Sequence, residues 1–107
     1  MTIEPTPLFL RNIKALQKKY PSVHNDLERL AESLQAEPKQ GESLGRGCYK
    51  VRFAIASKKT GKRDSSRLIT CVRIEQDIIY LLTVYDKSEK ATVSHSELSA
   101  LLKQIEE

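Results

Sequence analysis

The chain has 107 residues, of which 39% are hydrophobic and 30% are charged. This length supplies apolar material for one compact core, and the composition excludes disordered, collagen-like and low-complexity proteins. No apolar run reaches about 18 residues, and the first residues lack the pattern of a signal peptide, so we expect neither membrane insertion nor secretion. We therefore predict a single domain over residues 1–107.

Two amphipathic helices are predicted in the first third of the chain. The first begins after Thr6, which can cap it, has Pro7 in its first turn and ends at Pro21. The second begins with Ser22 as its cap and ends before Pro38. Helices joined by so short a break fold back as an antiparallel pair that needs another apolar surface to cover. The apolar residues at helical spacing are Leu8, Phe9, Ile13, Leu16 and Tyr20, then Val23, Leu27, Leu30, Ala31 and Leu34.

The apolar residues change from helical spacing to alternation at position 48. Residues 48–56 alternate and predict a half-buried strand. Residues 67–74 form a second β-rich run, residues 75–77 a tight turn, and residues 78–85 a third run. We predict three antiparallel strands. The third is apolar on both faces, so we expect it to be the most buried, with helices on one side.

Ser94 and Glu97 have the spacing of a capping box, which predicts a short final helix. Residues 2–4 are an optional edge strand ahead of the first helix. This order of elements predicts an α+β fold, in which two N-terminal helices pack on a small antiparallel sheet and a short C-terminal helix follows. The apolar residues of the final helix are Leu98, Leu101, Leu102 and Ile105.

The positive charge of the chain is concentrated in its middle. Residues 46–73 carry nine basic side chains and one acidic side chain, a local net charge of +8. Residues 1–45 are neutral overall, and residues 74–107 have a net charge of −4. Such a charge run forms either a solvated surface or an anion-binding one, and the placement of the charges decides between them.

Because side chains alternate across a strand, the cations of the first two strands fall on their non-core faces. Lys50 and Arg52 lie opposite the core residues of the first strand, and Arg67 and Arg73 lie opposite those of the second. A hairpin of the two strands therefore presents a basic sheet surface, which suits a phosphate backbone. The predicted core residues are Tyr49, Val51, Phe53 and Ile55, then Leu68, Thr70, Val72 and Ile74.

Other chemistry is sparse in the sequence. Cys48 and Cys71 are too few for a disulfide scaffold and have no metal-binding spacing, so we expect small packing residues in a reduced cytoplasm. His24 and His95 stand alone, and we expect surface or capping roles for both. There is no glycine-rich phosphate loop, H-E-x-x-H or G-x-S-x-G motif, so we predict no cofactor and no metal site.

Five segments are informative through their order and spacing: Leu44-Gly45, Cys48-Tyr49-Lys50-Val51-Arg52, Ser57-Lys58-Lys59-Thr60-Gly61-Lys62, Arg67-Leu68-Ile69-Thr70 and Val84-Tyr85-Asp86-Lys87-Ser88-Glu89. Together with the Thr6-Pro7 start, they closely resemble the RelE/ParE superfamily of bacterial toxin–antitoxin toxins, and in particular its RelE-like branch. The resemblance spans nearly the whole chain. It implies a small α+β fold with two N-terminal helices on a twisted antiparallel sheet and a mobile C-terminal helix.

The resemblance also implies an activity. Toxins of the RelE-like branch cleave messenger RNA in the ribosomal A site without a metal, by attack of the 2′-hydroxyl on the adjacent phosphate. The strand residues that serve this centre match Lys50, Arg52 and Arg67. We expect the two arginines to stabilise charge on the phosphorane, and Lys50 to act as base if like charges depress its pKa. Predicted RNA contacts are Lys62, Arg63, Arg73, Tyr85, Lys87 and Lys90.

Partners and location follow from the same resemblance. A toxin of this kind is held by an antitoxin protein in a hetero-oligomer, and it acts on the ribosome and messenger RNA in the cytoplasm. We expect the antitoxin to lay an acidic or amphipathic segment over the basic face.

Three other functions stay open. A ParE-like protein would inhibit DNA gyrase by contact, without chemistry. A toxin fold that only binds is a second alternative, because this chain reads Gly61-Lys62-Arg63-Asp64-Ser65-Ser66-Arg67 where relatives usually read Gly-Lys-Ser-Gly-Gly-x-Arg, and no tyrosine follows Lys90. A domain with a merely solvated basic sheet is the third.

Overall fold

A computed structural model describes residues 1–57 and 66–106 of the chain. Two consecutive helices are followed by four consecutive strands, the segregated order of an α+β fold, which confirms the predicted fold class. The elements are β1 (Thr2–Pro5), α1 (Pro7–Lys19), α2 (Val23–Ala36), β2 (Glu42–Gly45), β3 (Cys48–Phe53), β4 (Ser66–Arg73), a 3-10 turn (Ile74–Gln76), β5 (Ile78–Asp86) and α3 (His95–Leu102).

The strands form one sheet in the order β1-β5-β4-β3-β2. β1 runs parallel to β5, and the other neighbours are antiparallel. The prediction of three antiparallel strands is therefore wrong in number: the optional strand at residues 2–4 forms, and β2 joins the other edge. β2 has four residues, too few for an alternating pattern to show, and it is followed by a turn with positive φ at Gly45, Arg46 and Gly47.

Two helices begin as the sequence predicts. Thr6 Oγ1 accepts a hydrogen bond from Phe9 N at 3.4 Å, with Pro7 at the start of α1. Ser94 and Glu97 form the capping box of α3. These side chains satisfy amide groups that have no partner within the helix.

The start of α2 differs from the prediction, because Ser22 makes no side-chain capping bond. Its Oγ instead donates to Asp26 Oδ2 at 2.7 Å and accepts from Ser57 N at 2.8 Å. Asp26 is only 4% exposed and also accepts from Ala56 N at 3.0 Å. The buried carboxylate thus ties α2 to the segment that follows β3, and its hydrogen bonds offset the cost of burying it.

The apolar side chains form two clusters, which strand alternation places on opposite faces of the sheet. The helix-pair core lies beneath α1 and α2. The α3 core lies on the other face, beneath α3. The helix-pair core contains Phe9, Ile13, Val23, Leu30, Leu34, Val51, Phe53, Ile55, Leu68, Ile79, Leu81 and Val84. The α3 core contains Cys48, Ile69, Cys71, Leu82, Tyr85, Val93, Leu98, Leu101 and Leu102.

The sheet differs from expectation at its centre and at two strand ends. β4 and β5 are both largely buried, with helices over both faces rather than over one. β3 ends at Phe53, short of the predicted position 56. Ile74, a predicted core residue, lies beyond β4 in the 3-10 turn and is 63% exposed. Over residues 1–57 and 66–106, no helix is long and apolar enough to cross a bilayer.

Candidate functional site

Two of the predicted catalytic residues lie side by side on the α3 face of the sheet. Arg52 in β3 is directly opposite Arg67 in β4, and Arg67 is directly opposite Tyr85 in β5. We call these three residues the arginine row. Arg52 is exposed and Arg67 is half-buried. The backbone of three adjacent strands therefore holds the row, which makes its spacing rigid.

The backbone hydrogen bonds show how close the two arginines are. Val72 N donates to Gly47 O at 2.8 Å, which makes those two residues a hydrogen-bonded pair of the ladder. Since hydrogen-bonded and non-hydrogen-bonded pairs alternate, Arg52 and Arg67 form a non-hydrogen-bonded pair, whose Cα atoms are about 4.5 Å apart. Like charges at directly opposite positions repel, so an anion between these guanidinium groups is favoured.

Lys50 lies on the same face as Arg52 but is engaged with other groups. Its Nζ is 3.0 Å from Glu42 Oε2 and donates to Ala91 O at 3.4 Å. The side chain is 19% exposed. Glu42 belongs to β2, which the sequence pattern does not predict, so this carboxylate is a site neighbour that sequence reasoning missed.

A β-bulge puts Tyr85 in the arginine row. Ile69 pairs with Thr83 and Thr70 with Leu81, so Leu82 is an extra residue in β5. Strict alternation from Leu81, in the helix-pair core, would place Tyr85 on that same face. The bulge reverses the alternation beyond it and turns Tyr85 towards α3.

The Tyr85 ring is covered in this structure. It is 6% exposed, and Lys90 Nζ lies 5.1 Å from the ring centroid. Burial raises the pKa of Tyr85, while the nearby positive charge of Arg67 acts in the opposite direction. The predicted stacking of Tyr85 on a base therefore requires the Lys90 side chain and the segment that carries it to move.

Lys90, a predicted RNA contact, is also tied to α3. Its Nζ is 2.5 Å from Glu97 Oε2. Glu97 Oε1 meanwhile accepts from Ser94 N at 3.1 Å as part of the capping box. The hydrogen bonds from Lys90 and from the Ser94 backbone lower the pKa of Glu97. The Lys90–Glu97 pair thus joins the end of the arginine row to the first turn of α3.

Two further predicted RNA contacts, Arg73 and Lys87, lie among the described residues. Arg73 is six residues from Arg67 along β4, about 20 Å away, and its Nη1 donates to Arg46 O at 3.0 Å. Lys87 is exposed in the turn after β5. Lys62 and Arg63 lie outside the described residues. The structure therefore brings Lys50, Arg52, Arg67, Tyr85 and Lys90 together and places Arg73 at the far end of the sheet.

No protein-family model matches the sequence, and no curated protein matches it in a sequence comparison. A comparison of folds finds the structure of a mutant of the E. coli toxin RelE in the free state. It aligns over 98% of this chain and 97% of that one, with a TM-score of 0.62 and 17% sequence identity. The chain therefore has the RelE fold, as the sequence resemblance implied. A fold alone does not carry an activity, which has to be argued from the site.

Proposed function

We propose that this protein is the toxin of a toxin–antitoxin module and that it cleaves messenger RNA on the ribosome. The observation that carries the proposal is the arginine row: two guanidinium groups on directly opposite residues of adjacent strands, beside Tyr85. The likeness to the E. coli toxin RelE supports the toxin assignment through the fold. Two guanidinium groups on neighbouring residues can bind one phosphate group together.

In the proposed reaction the 2′-hydroxyl of a nucleotide attacks the adjacent phosphorus. The O2′–P bond forms as the hydroxyl proton passes to solvent, and the P–O5′ bond breaks as O5′ takes up a proton, which leaves a 2′,3′-cyclic phosphate and a 5′-hydroxyl. Negative charge builds up on the phosphorane oxygens between these events. Arg52 and Arg67 stabilise that charge, because two adjacent strands hold their backbone positions directly opposite each other before the reaction begins.

Lys50, for which the resemblance implied the role of base, contributes to phosphate binding in this proposal. It lies two residues before Arg52 on the same face, and its ammonium group is paired with Glu42 in the free protein. An RNA phosphate therefore competes with that carboxylate for Lys50. Tyr85, Lys87 and Lys90 serve the strand around the reacting phosphate, with Tyr85 stacking on a base once Lys90 moves.

The proposed partners are the ribosome with its messenger RNA and an antitoxin protein, all in the cytoplasm. The antitoxin carries an acidic or amphipathic segment that neutralises the basic face in a hetero-oligomer. Salt should weaken this contact, as it weakens phosphate binding.

The test is controlled expression in a bacterium that lacks the antitoxin, with growth recorded and messenger RNA 5′ ends mapped. We expect growth arrest and new 5′ ends within translated codons. Arg67→Glu should reduce the number of new ends by about 100-fold or more, since it replaces a charge-stabilising group by a repelling one. Arg67→Lys should retain part of the activity, because it keeps the charge but loses the two-pronged geometry.

Arg11→Glu is the matched control: it makes the same charge change on an exposed residue of α1. It should leave arrest and cleavage unchanged, and circular dichroism should show that all variants are folded. Equal toxicity of Arg67→Glu would remove the arginine row from the mechanism. Arrest without new 5′ ends would overturn RNA cleavage in favour of gyrase inhibition, and no arrest at verified expression would favour a protein that only binds.

A further inference from the structure

The α3 core contains two cysteines that the proposed function does not use. Cys48 begins β3 and Cys71 lies in β4, directly opposite it. Both are free thiols with a relative exposure of 0%. Strand alternation puts both side chains on the α3 face, so the sheet creates a thiol pair from two residues that are distant in sequence.

The strand register at this pair is compatible with a disulfide. The hydrogen bond from Val72 N to Gly47 O lies one ladder position away, so Cys48 and Cys71 form a non-hydrogen-bonded pair. Cα atoms in such a pair are about 4.5 Å apart. Disulfides usually join Cα atoms about 4.4–6.8 Å apart, so the bond requires little movement of either strand.

The two thiols differ in acidity. The pKa of Cys71 is lowered, chiefly by its hydrogen-bond interaction with the Cys48 thiol; burial acts against this, and the positive charges of Arg73 and Arg46 act with it. The pKa of Cys48 is raised by the same hydrogen bond and by burial. Because the thiolate is the nucleophile, Cys71 is the sulfur that reacts first and Cys48 the one that follows.

We propose that Cys48 and Cys71 form an oxidation site that a peroxide converts to a cross-strand disulfide. The Cys71 thiolate attacks one peroxide oxygen, the O–O bond breaks, and a sulfenic acid forms while the departing hydroxide is protonated to water. The Cys48 sulfur then attacks Cys71 Sγ, the S–O bond breaks, and a second water leaves with the Cys48 proton. Two thiols are oxidised, and one peroxide is reduced to two waters. The site does not depend on RNA cleavage.

Access to the thiols is controlled by α3, which covers them with Leu98, Leu101 and Leu102. This helix has eight residues. Among the described residues its polar links to the rest of the chain include a hydrogen bond from Arg46 Nη1 to Ser99 Oγ at 2.9 Å and the Lys90–Glu97 pair. A short helix with few polar links opens at a lower free energy than the whole fold, so oxidation proceeds through local opening of α3.

The test treats the reduced, purified full chain with hydrogen peroxide. We expect the intact mass to fall by two hydrogen atoms and the titratable thiols to fall from two to none. The midpoint of thermal unfolding should rise by about 10 °C, because the bond constrains the unfolded chain. Dithiothreitol should reverse all three changes.

Single substitutions resolve the order of the steps. In Cys48→Ser, dimedone should capture a sulfenic acid at Cys71, and Cys71→Ser should give at least about tenfold less labelling. Glu97→Gln, which weakens an α3 link, should speed oxidation of the natural thiol pair. If the serine variants do not fold, peptide mapping of the oxidised natural chain identifies the Cys48–Cys71 bond directly. Two free thiols after treatment of both the natural chain and Glu97→Gln, or a disulfide between chains, would overturn the proposal.

Discussion

The α3 face of the sheet carries two residue pairs that have the same backbone geometry but differ in how far they are covered. At one end Cys48 faces Cys71, and at the other Arg52 faces Arg67, each as a non-hydrogen-bonded pair of the same two strands. The two pairs are four residues apart along each strand, about 13 Å. The cysteines are fully buried, whereas Arg52 is exposed. Two pairs with the same backbone geometry therefore differ in solvent exposure, and the side chains differ accordingly in polarity.

The length of α3 explains the difference. Eight helical residues span about 12 Å, whereas the eight residues of β4 span about 26 Å. The helix is therefore too short to cover the whole face, and it leaves the Arg52 end open. Apolar side chains are stable beneath it, whereas Arg52 tolerates water; Tyr85, in the same row, is covered by Lys90. The Lys90–Glu97 pair lies at the border between the covered and the open part of the face.

The largest effect on stability is expected from a substitution that weakens the packing of α3 over the cysteine end of the face. Leu98 is 2% exposed in the α3 core, and Leu98→Ala should lower the free energy of unfolding by about 2–5 kcal/mol through lost burial and a residual cavity. Urea unfolding measures the change. Leu10→Ala is the control, because Leu10 is 53% exposed on α1 and should change stability by no more than about 0.5 kcal/mol. Equal effects of the two substitutions would show that α3 does not form a packed cover.

An intermediate effect is expected at the border. The pKa of Glu97 is lowered by the hydrogen bonds from Lys90 and from the Ser94 backbone. Its contribution to stability is therefore present above its ordinary pKa of 4.5 and is lost as the pH falls through its folded value. Urea unfolding at a series of pH values should show the natural chain more stable than Glu97→Gln near neutrality, with the difference shrinking below about pH 4.5. Glutamine keeps the capping role, so a difference independent of pH would contradict the ion pair's contribution.

The smallest effect is expected at the uncovered end. Arg52→Gln removes one of two directly opposite positive charges and should raise the free energy of unfolding by about 0.2–1 kcal/mol, with the gain decreasing at high salt. The same variant should weaken growth arrest, because the proposed phosphate site loses one cation. Chemical unfolding at low and high salt, together with the growth assay, tests both effects. A loss of stability would show that Arg52 serves the fold rather than a ligand.

Much of the fold follows from local patterns in the sequence. The capping residues Thr6 and Ser94 and the alternation in β3 and β4 act over a few residues, so they are readable without tertiary contacts. β2 could not be predicted in this way, because its four residues are too few to show an alternating pattern. The cap expected from Ser22 fails for a different reason: the buried Asp26 and Ser57 compete for its hydroxyl.

The candidate site, too, is only partly predictable from local patterns in the sequence. The placement of Lys50, Arg52 and Arg67 on one face is predictable, because alternation is a property of each strand by itself. The ion pair of Lys50 with Glu42 and the engagement of Lys90 with Glu97 depend on side chains from elements that are not neighbours along the chain. Arg73 shares the predicted face, yet its distance along β4 separates it from the row.

The sequence by itself determined the three helices, the strands β3, β4 and β5, the concentration of positive charge in residues 46–73 and the face on which the strand cations lie, because periodicity and charge are local properties. Only the tertiary structure decided that Arg52 meets Arg67, that Cys48 meets Cys71, and that the extra residue Leu82 turns Tyr85 towards α3. Register and bulges depend on pairing between strands that are distant along the chain, and no single strand encodes its partner's alignment.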